Sequence, residues 1–186
     1  KMDFIERIDV LSKRIPQIAN SLQTEEATKN ALVMPFLHTV LGYDVFNPLE
    51  VVPEYITDIG TKKGEKIDYA IFKDGNPTIL IECKHWAQNL NLHDGQLLRY
   101  FHVSKAKFGL LTNGIVYRFY SDLVEANKMD EKPFLEFDIT SLKENVMNEI
   151  AKFHKSNFDV NNIVNKFVCD ISITYNLSVY RFKKLK

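Results

Sequence analysis

Phe4, Ile8, Leu11 and Ile15 recur at helical spacing, which predicts a first amphipathic helix that closes before Pro16. Thr24-Glu25-Glu26 opens a second helix whose acidic first turn suits the helix dipole. Ala27, Ala31, Leu32, Phe36, Val40 and Leu41 mark its apolar side, with Pro35 expected to kink it and Gly42 to stop it. Residues 45–55, broken by Pro48 and Pro53, read as loop and then a first strand. Two strand-like runs follow, 66–73 and 78–84, joined by an Asp74-Gly75 step that is a strong hairpin signal. A third helix is expected from Asp94 as N-cap, carrying Gln96, Leu97, Leu98, Tyr100, Phe101 and Val103. Residues 108–112 form a strand, Asn113-Gly114 a two-residue primed turn, and 115–120 its partner. Beyond Asp122 the pattern predicts an edge strand over 135–139 and a helix capped by Ser141 that runs to about Phe153; residues 157–186 are an apolar-rich tail without an assigned type.

Parity gives this pattern its chemistry. Side chains alternate faces along a strand, so Glu82 and Lys84 share one face while Ile81 and Cys83 point to the other. If the hairpin reverses at Gly75 and Asn76, Asp68 and Glu82 become cross-strand neighbours within about 5 to 8 Å. Two adjacent carboxylates repel unless a cation joins them. Charge ending the apolar run Ile79-Leu80-Ile81 is costly unless it is used. Two carboxylates and an ammonium at one sheet edge can hold a divalent metal beside a phosphodiester, although a Glu-x-Lys pair is also ordinary decoration of an exposed strand.

Composition narrows the field. The chain has 186 residues, 45% hydrophobic and 26% charged, with 24 basic and 24 acidic side chains, so its formal net charge is zero. That balance suits a globular domain and not a broadly basic nucleic-acid binder. Any contact with a polyanion must be local, and two basic clusters are candidates: Lys62, Lys63 and Lys66 before the Asp68 strand, and Arg181, Lys183, Lys184 and Lys186 at the C-terminus. Both also fit simple solvated charge. The cysteines, Cys83 and Cys169, form neither a disulfide framework nor a zinc knuckle, which points to a reducing, cytoplasmic setting. No apolar stretch reaches membrane-span length and no signal-peptide pattern is present. Lys1 before Met2 reads as an added residue, with the natural chain expected to begin at Met2.

The order helix, three strands, helix, strand, together with Asp68 and Glu82-x-Lys84, resembles the PD-(D/E)xK nuclease superfamily, with Ile67 in place of the motif's proline. A closer resemblance is to the N-terminal nuclease domain of type I restriction enzyme R subunits and related prophage endonuclease-like proteins. It rests on Glu26-Ala27-Thr28-Lys29, Pro35-Phe36-Leu37, Leu41-Gly42-Tyr43, Gln96-x-x-x-Tyr100 and Leu111-Thr112-Asn113-Gly114, in that order over residues 20–122. The resemblance implies a restriction-endonuclease-like α/β fold with an αβββαβ core and mixed sheet. It implies Mg²⁺-dependent hydrolysis of DNA, with Mn²⁺ a possible substitute. Asp68, Glu82 and the Cys83 main-chain carbonyl would hold the metal, and Lys84 would stabilise developing charge or orient the attacking water. Glu26 would support the metal from the second helix, unless it is a surface glutamate favoured by the helix dipole or yields to its neighbour Glu25. Gln96 and Tyr100 lie on one helix face; the resemblance has them border the site, touching DNA or orienting the lysine, while the alternative is a polar stripe. His85 and His93 would meet phosphate or sit idle in a loop, and Trp86 would stack on a base or plug the core.

Other chemistries lack their signatures. The run Gly60-Thr61-Lys62-Lys63-Gly64 has no Gly-Lys-Ser/Thr ending, so no ATPase is expected, and neither a His-x-x-x-His pair nor a Gly-x-Ser-x-Gly elbow occurs. The expected organisation is an N-terminal helix over 1–20, a nuclease-like core over 21–122 and a C-terminal extension over 123–186 that either packs on the core or leads toward a further domain. The rival to catalysis is an idle nuclease-fold module that grips nucleic acid or a partner protein. In either case DNA and other restriction-system subunits are the expected partners.

Overall fold

The computed structural model describes residues 3–57, 65–92 and 95–175. Helix α1 spans Phe4–Ile18 and opens on a reciprocal cap in which Asp3 and Glu6 each accept the other's backbone amide at 2.9 Å. It does not close before Pro16, as expected from the sequence, but carries the proline in its last turn. A proline there forfeits a single helical hydrogen bond, and the chain tightens into a 3₁₀ turn over Ala19–Ser21.

Helix α2 begins at Glu25–Thr28, with the Thr24 hydroxyl accepting from the Ala27 amide at 3.0 Å. It then widens into π turns over Lys29–Val33 and Phe36–Val40, flanking Pro35. Pro35 keeps helical angles (φ −60°, ψ −37°). Its ring and missing N–H are accommodated by donors that reach one residue further back: Met34 to the Lys29 carbonyl, Leu41 to that of Phe36 at 2.9 Å. Gly42 ends the helix, in agreement with the sequence.

Among the described residues, six strands form one sheet in sequential order, β1 (Val51–Tyr55), β2 (Ile67–Lys73), β3 (Asn76–Cys83), β4 (Phe108–Thr112), β5 (Val116–Tyr120) and β6 (Leu135–Asp138). All neighbours are antiparallel except β3 and β4, which run parallel and are joined through α3 (Gly95–Val103). Pro53 is tolerated because β1 is an edge strand. Residues 58–64, 93 and 94 lie outside the described set, and with them the expected cap at Asp94.

At the β2–β3 turn both Asp74 (φ 52°) and Gly75 (φ 75°) are left-handed, the signature of a type I′ hairpin. Lys73 pairs with Asn76 and Phe72 with Pro77, but Ile71 pairs with Ile79. Thr78 is therefore an extra residue, a β-bulge, and its hydroxyl donates to the Ile71 carbonyl at 2.9 Å. From there the register continues through Ala70–Leu80 to Tyr69–Ile81.

The turn between β4 and β5 differs from the expected two-residue primed form. Three residues connect the strands and only Gly114 (φ 80°) is left-handed. A Cβ on Gly114 would lie 2.6 Å from that of Leu32 on α2, so the glycine also permits that helix to approach.

Two hydrophobic clusters cover the sheet. One joins Ile8, Leu11 and Ile15 of α1 and Leu32, Phe36, Leu37 and Val40 of α2 to Ile79, Ile81, Phe119 and Phe137 of the strands. It continues into Ile150, Phe153, Phe158 and Ile163, so segments before residue 20 and after residue 122 share one core with the strands. The other packs Leu97, Tyr100 and Phe101 of α3 on Ala70, Leu80 and Leu111. Ser141 does not cap the following helix: Asp138 caps a separate 3₁₀ turn at Ile139–Ser141, and α4 starts at Glu144 and runs to Ile150. Part of the unassigned tail is α5, Val160–Tyr175. No helix among the described residues is long and apolar enough to cross a membrane.

Candidate active site

The site opens where β2 leaves β3. β2 remains paired with β1 as far as Ile67, but its pairing with β3 stops at Tyr69–Ile81. Asp68 and Glu82 are the next residues on the two strands. Asp68 turns its carboxylate into the gap, and its Oδ2 accepts the Cys83 amide at 2.7 Å, replacing the ladder bond that the parted backbone no longer supplies.

Glu82 is the most buried charge of the group, with 2% of its surface exposed. Lys84, just past the strand end, donates to Glu82 Oε1 at 2.5 Å, while its own amide donates to the Thr112 carbonyl at 2.8 Å. Glu82 Oε2 is buried without a hydrogen-bond partner among the described residues. Burial, and then the charge of Asp68, push the Glu82 pKa up to about 7 against the pull of Lys84. Burial works against the Lys84 charge too, but the bond to Glu82 and the surrounding carboxylates outweigh it and raise its pKa.

Helix α2 supplies a third pair. Lys29 Nζ lies 2.7 Å from Glu26 Oε2 and 3.1 Å from Asp68 Oδ1, so Glu26 reaches the centre through a lysine. The Glu26 side chain is 65% exposed and also accepts from the Asn30 side-chain Nδ2. Its neighbour Glu25 acts electrostatically on both Glu82 and Lys84, so the two acids address different ends of the site. Lys29 stood inside the Glu26-to-Lys29 motif, yet nothing local to the helix told that its ammonium would meet Asp68.

Gln96 and Tyr100 share a face of α3, and both grip the chain as it enters β2. The Gln96 amide donates to the Lys66 carbonyl and the Tyr100 hydroxyl to the Glu65 carbonyl. Arg99 adds a forked ion pair to the Glu65 carboxylate. Tyr100 is wholly buried, so its ring offers no face to DNA and it acts as an anchor for β2. Gln96 instead lines an open cleft of about 330 Å³ with Glu54, Glu65, Lys66, Ile67 and Asp68. Lys66 reaches Glu54 Oε2 at 3.0 Å. Lys62, Lys63, His93 and the basic C-terminus lie outside the described residues.

The loop after Lys84 is stapled in place. His85 Nε2 and Trp86 Nε1 both meet the Leu22 carbonyl at 3.0 Å, and His85 Nδ1 meets the Ala87 amide, so both ring nitrogens of the expected phosphate contact are engaged within the protein. Trp86 packs against the larger core cluster and its amide donates to Thr28 Oγ1 at 3.2 Å. Asn113, assigned only to its turn by the sequence, donates to the Trp86 and Gln88 carbonyls, both at 3.0 Å. Its carboxamide oxygen meanwhile accepts the Ile115 and Val116 amides, so one side chain joins two loops. The pattern Leu-Thr-Asn-Gly carried that signal.

Among the described residues, no group of three or more His, Cys, Asp or Glu gathers at metal-holding distance. A hard cation such as Mg²⁺ is commonly held by one or two carboxylates plus waters and substrate phosphate, so the pair Asp68 and Glu82 with its unpartnered oxygen fits that requirement. Neither curated proteins nor solved structures give a match. Residues 58–128, which hold Asp68, Glu82, Lys84, Gln96 and Tyr100 but not Glu26 or Lys29, match the family model of the type I restriction enzyme R protein N terminus.

Proposed function

We propose that the protein is a Mg²⁺-dependent endonuclease that hydrolyses DNA phosphodiester bonds, as part of a restriction system. The observation that carries this reading is that Asp68 and Glu82 are the next residues beyond the last β2–β3 pair, with one Glu82 oxygen buried without a partner among the described residues and Lys84 on the same carboxylate. Asp68, Glu82 and the Cys83 main-chain carbonyl would hold Mg²⁺, with Mn²⁺ a possible substitute. Bound there, the cation would lower the pKa of a water and polarise a phosphoryl oxygen.

The chain's own groups account for the rest. The Lys84 ammonium, held by Glu82, would stabilise charge developing on the phosphate or orient the attacking water. Gln96, Tyr100 and Arg99 hold the entry to β2 and hence Asp68. Gln96 and Lys66 line the cleft beside Asp68 and would meet DNA there. Other restriction-system subunits are the proposed protein partners.

Incubation of plasmid DNA with Mg²⁺ or Mn²⁺ tests the reading. The wild type should nick or cut, and Lys84→Ala should lose about 10²- to 10³-fold in rate. Equal cleavage by both, or none by either with any metal, sinks it. One observation favours the idle binding module: Lys29 and Lys84 already balance Asp68 and Glu82. Calorimetric titration separates the two, because the idle module has no need to bind Mg²⁺ at these carboxylates.

A further inference from the structure

Each oxygen of Asp68 already has a donor. Oδ2 accepts the Cys83 amide, and Oδ1 faces the Lys29 ammonium, which is held on its other side by Glu26. Glu82 differs, since Lys84 takes Oε1 and leaves Oε2 unpartnered among the described residues. A divalent cation at the pair would thus meet an unpartnered oxygen on Glu82 but an ammonium in front of Asp68. Two cations on one carboxylate oxygen repel at close range, and partial burial strengthens that repulsion. The Lys29 and Asp68 side chains are only 15% and 16% exposed.

We propose that Lys29 is a built-in counter-ion that competes with the divalent cation for Asp68, so that metal loading exchanges one ion pair for another. This inference rests on the hydrolytic reading above. Glu26 makes the exchange feasible. It lies one turn back on the same helix face, its carboxylate is largely exposed, and it already holds the ammonium at 2.7 Å. The long lysine stem can therefore withdraw from Asp68 without unwinding α2. The ammonium faces both carboxylates at once, Glu26 at 2.7 Å and Asp68 at 3.1 Å, as a competing cation must.

Calorimetric titration with Mn²⁺ in the absence of DNA tests this directly. Lys29→Met, which keeps the stem and drops the charge, should bind Mn²⁺ roughly tenfold more tightly than wild type. Lys29→Arg should bind as weakly as wild type. Equal or weaker binding by Lys29→Met overturns the inference. Should that variant fail to fold, the wild type supplies the second measurement: NMR of the ¹⁵N-labelled lysine ammonium groups during Mg²⁺ titration, with Lys29 assigned from Lys29→Arg. The Lys29 signal should shift together with the Asp68 and Cys83 amides. If those amides move and the ammonium does not, competition is refuted while the metal site stands. If none of them moves, the metal site and the competition fall together.

Discussion

Asp68 Oδ2 accepts the Cys83 amide at 2.7 Å across the point where β2 and β3 separate. This carboxylate therefore has a structural duty that is independent of any cation, and the two duties can be divided by substitution. Asp68→Asn keeps an acceptor for the amide but loses the charge, and should abolish cleavage with little loss of stability. Asp68→Ala leaves the Cys83 N–H without its acceptor and should cost about 1–3 kcal/mol more in a denaturant melt. Equal melts for the two variants would show that the bond contributes nothing.

Glu82 gives a pH signature. Its pKa is about 7 in the folded chain against 4.5 for an ordinary glutamate, so between those values the folded protein holds a proton that the unfolded chain has released. The stability from this group is complete below about pH 4.5 and is lost as pH rises through about 7. Glu82→Gln mimics the protonated form. In chelator, wild-type stability relative to this variant should fall by about 2–4 kcal/mol across that window and level off above it. A difference that stays constant with pH would refute the assignment.

Tyr100→Phe removes the hydroxyl that holds the Glu65 carbonyl. The expected loss is about 0.5–1.5 kcal/mol in a denaturant melt. Hydrogen exchange should quicken at the entry to β2 while the β4–β5 pair is unaffected. Unchanged protection near Ile67 would count against Tyr100 as the anchor.

Gly114→Ala combines a left-handed backbone with a collision against Leu32. It should cost about 2–4 kcal/mol, seen as a lower denaturation midpoint. Gly75→Ala shares the left-handed backbone without a neighbour within 4 Å and should cost less.

The hairpin was legible because Asp74-Gly75 has the one local chemistry that suits a type I′ turn, whereas the alignment of Asp68 with Glu82 depends on the Thr78 bulge, which a reversal set at Gly75 and Asn76 did not foresee. Strand parity likewise separated Cys83, buried in the larger core cluster, from Glu82. What escaped depends on contacts between elements. The pair Glu26–Lys29 looks the same on a solvated helix as it does over Asp68. Pro16 is tolerated in the last turn of its helix and Pro35 between two widened turns, outcomes that residue propensity alone does not decide. The connection after β4 took an extra residue because the Asn113 side chain had loops to hold on both sides.

Thr78 works as a counting correction. Measured from the Asp74-Gly75 turn alone, Asp68 would come to face Ile81, and the extra residue moves it into line with Glu82. Deleting Thr78 would change no acidic or basic residue and yet set the Asp68 carboxylate opposite an aliphatic side chain. The chemistry of one end of this hairpin is thus spelled at the other, and an otherwise unremarkable threonine is part of its grammar.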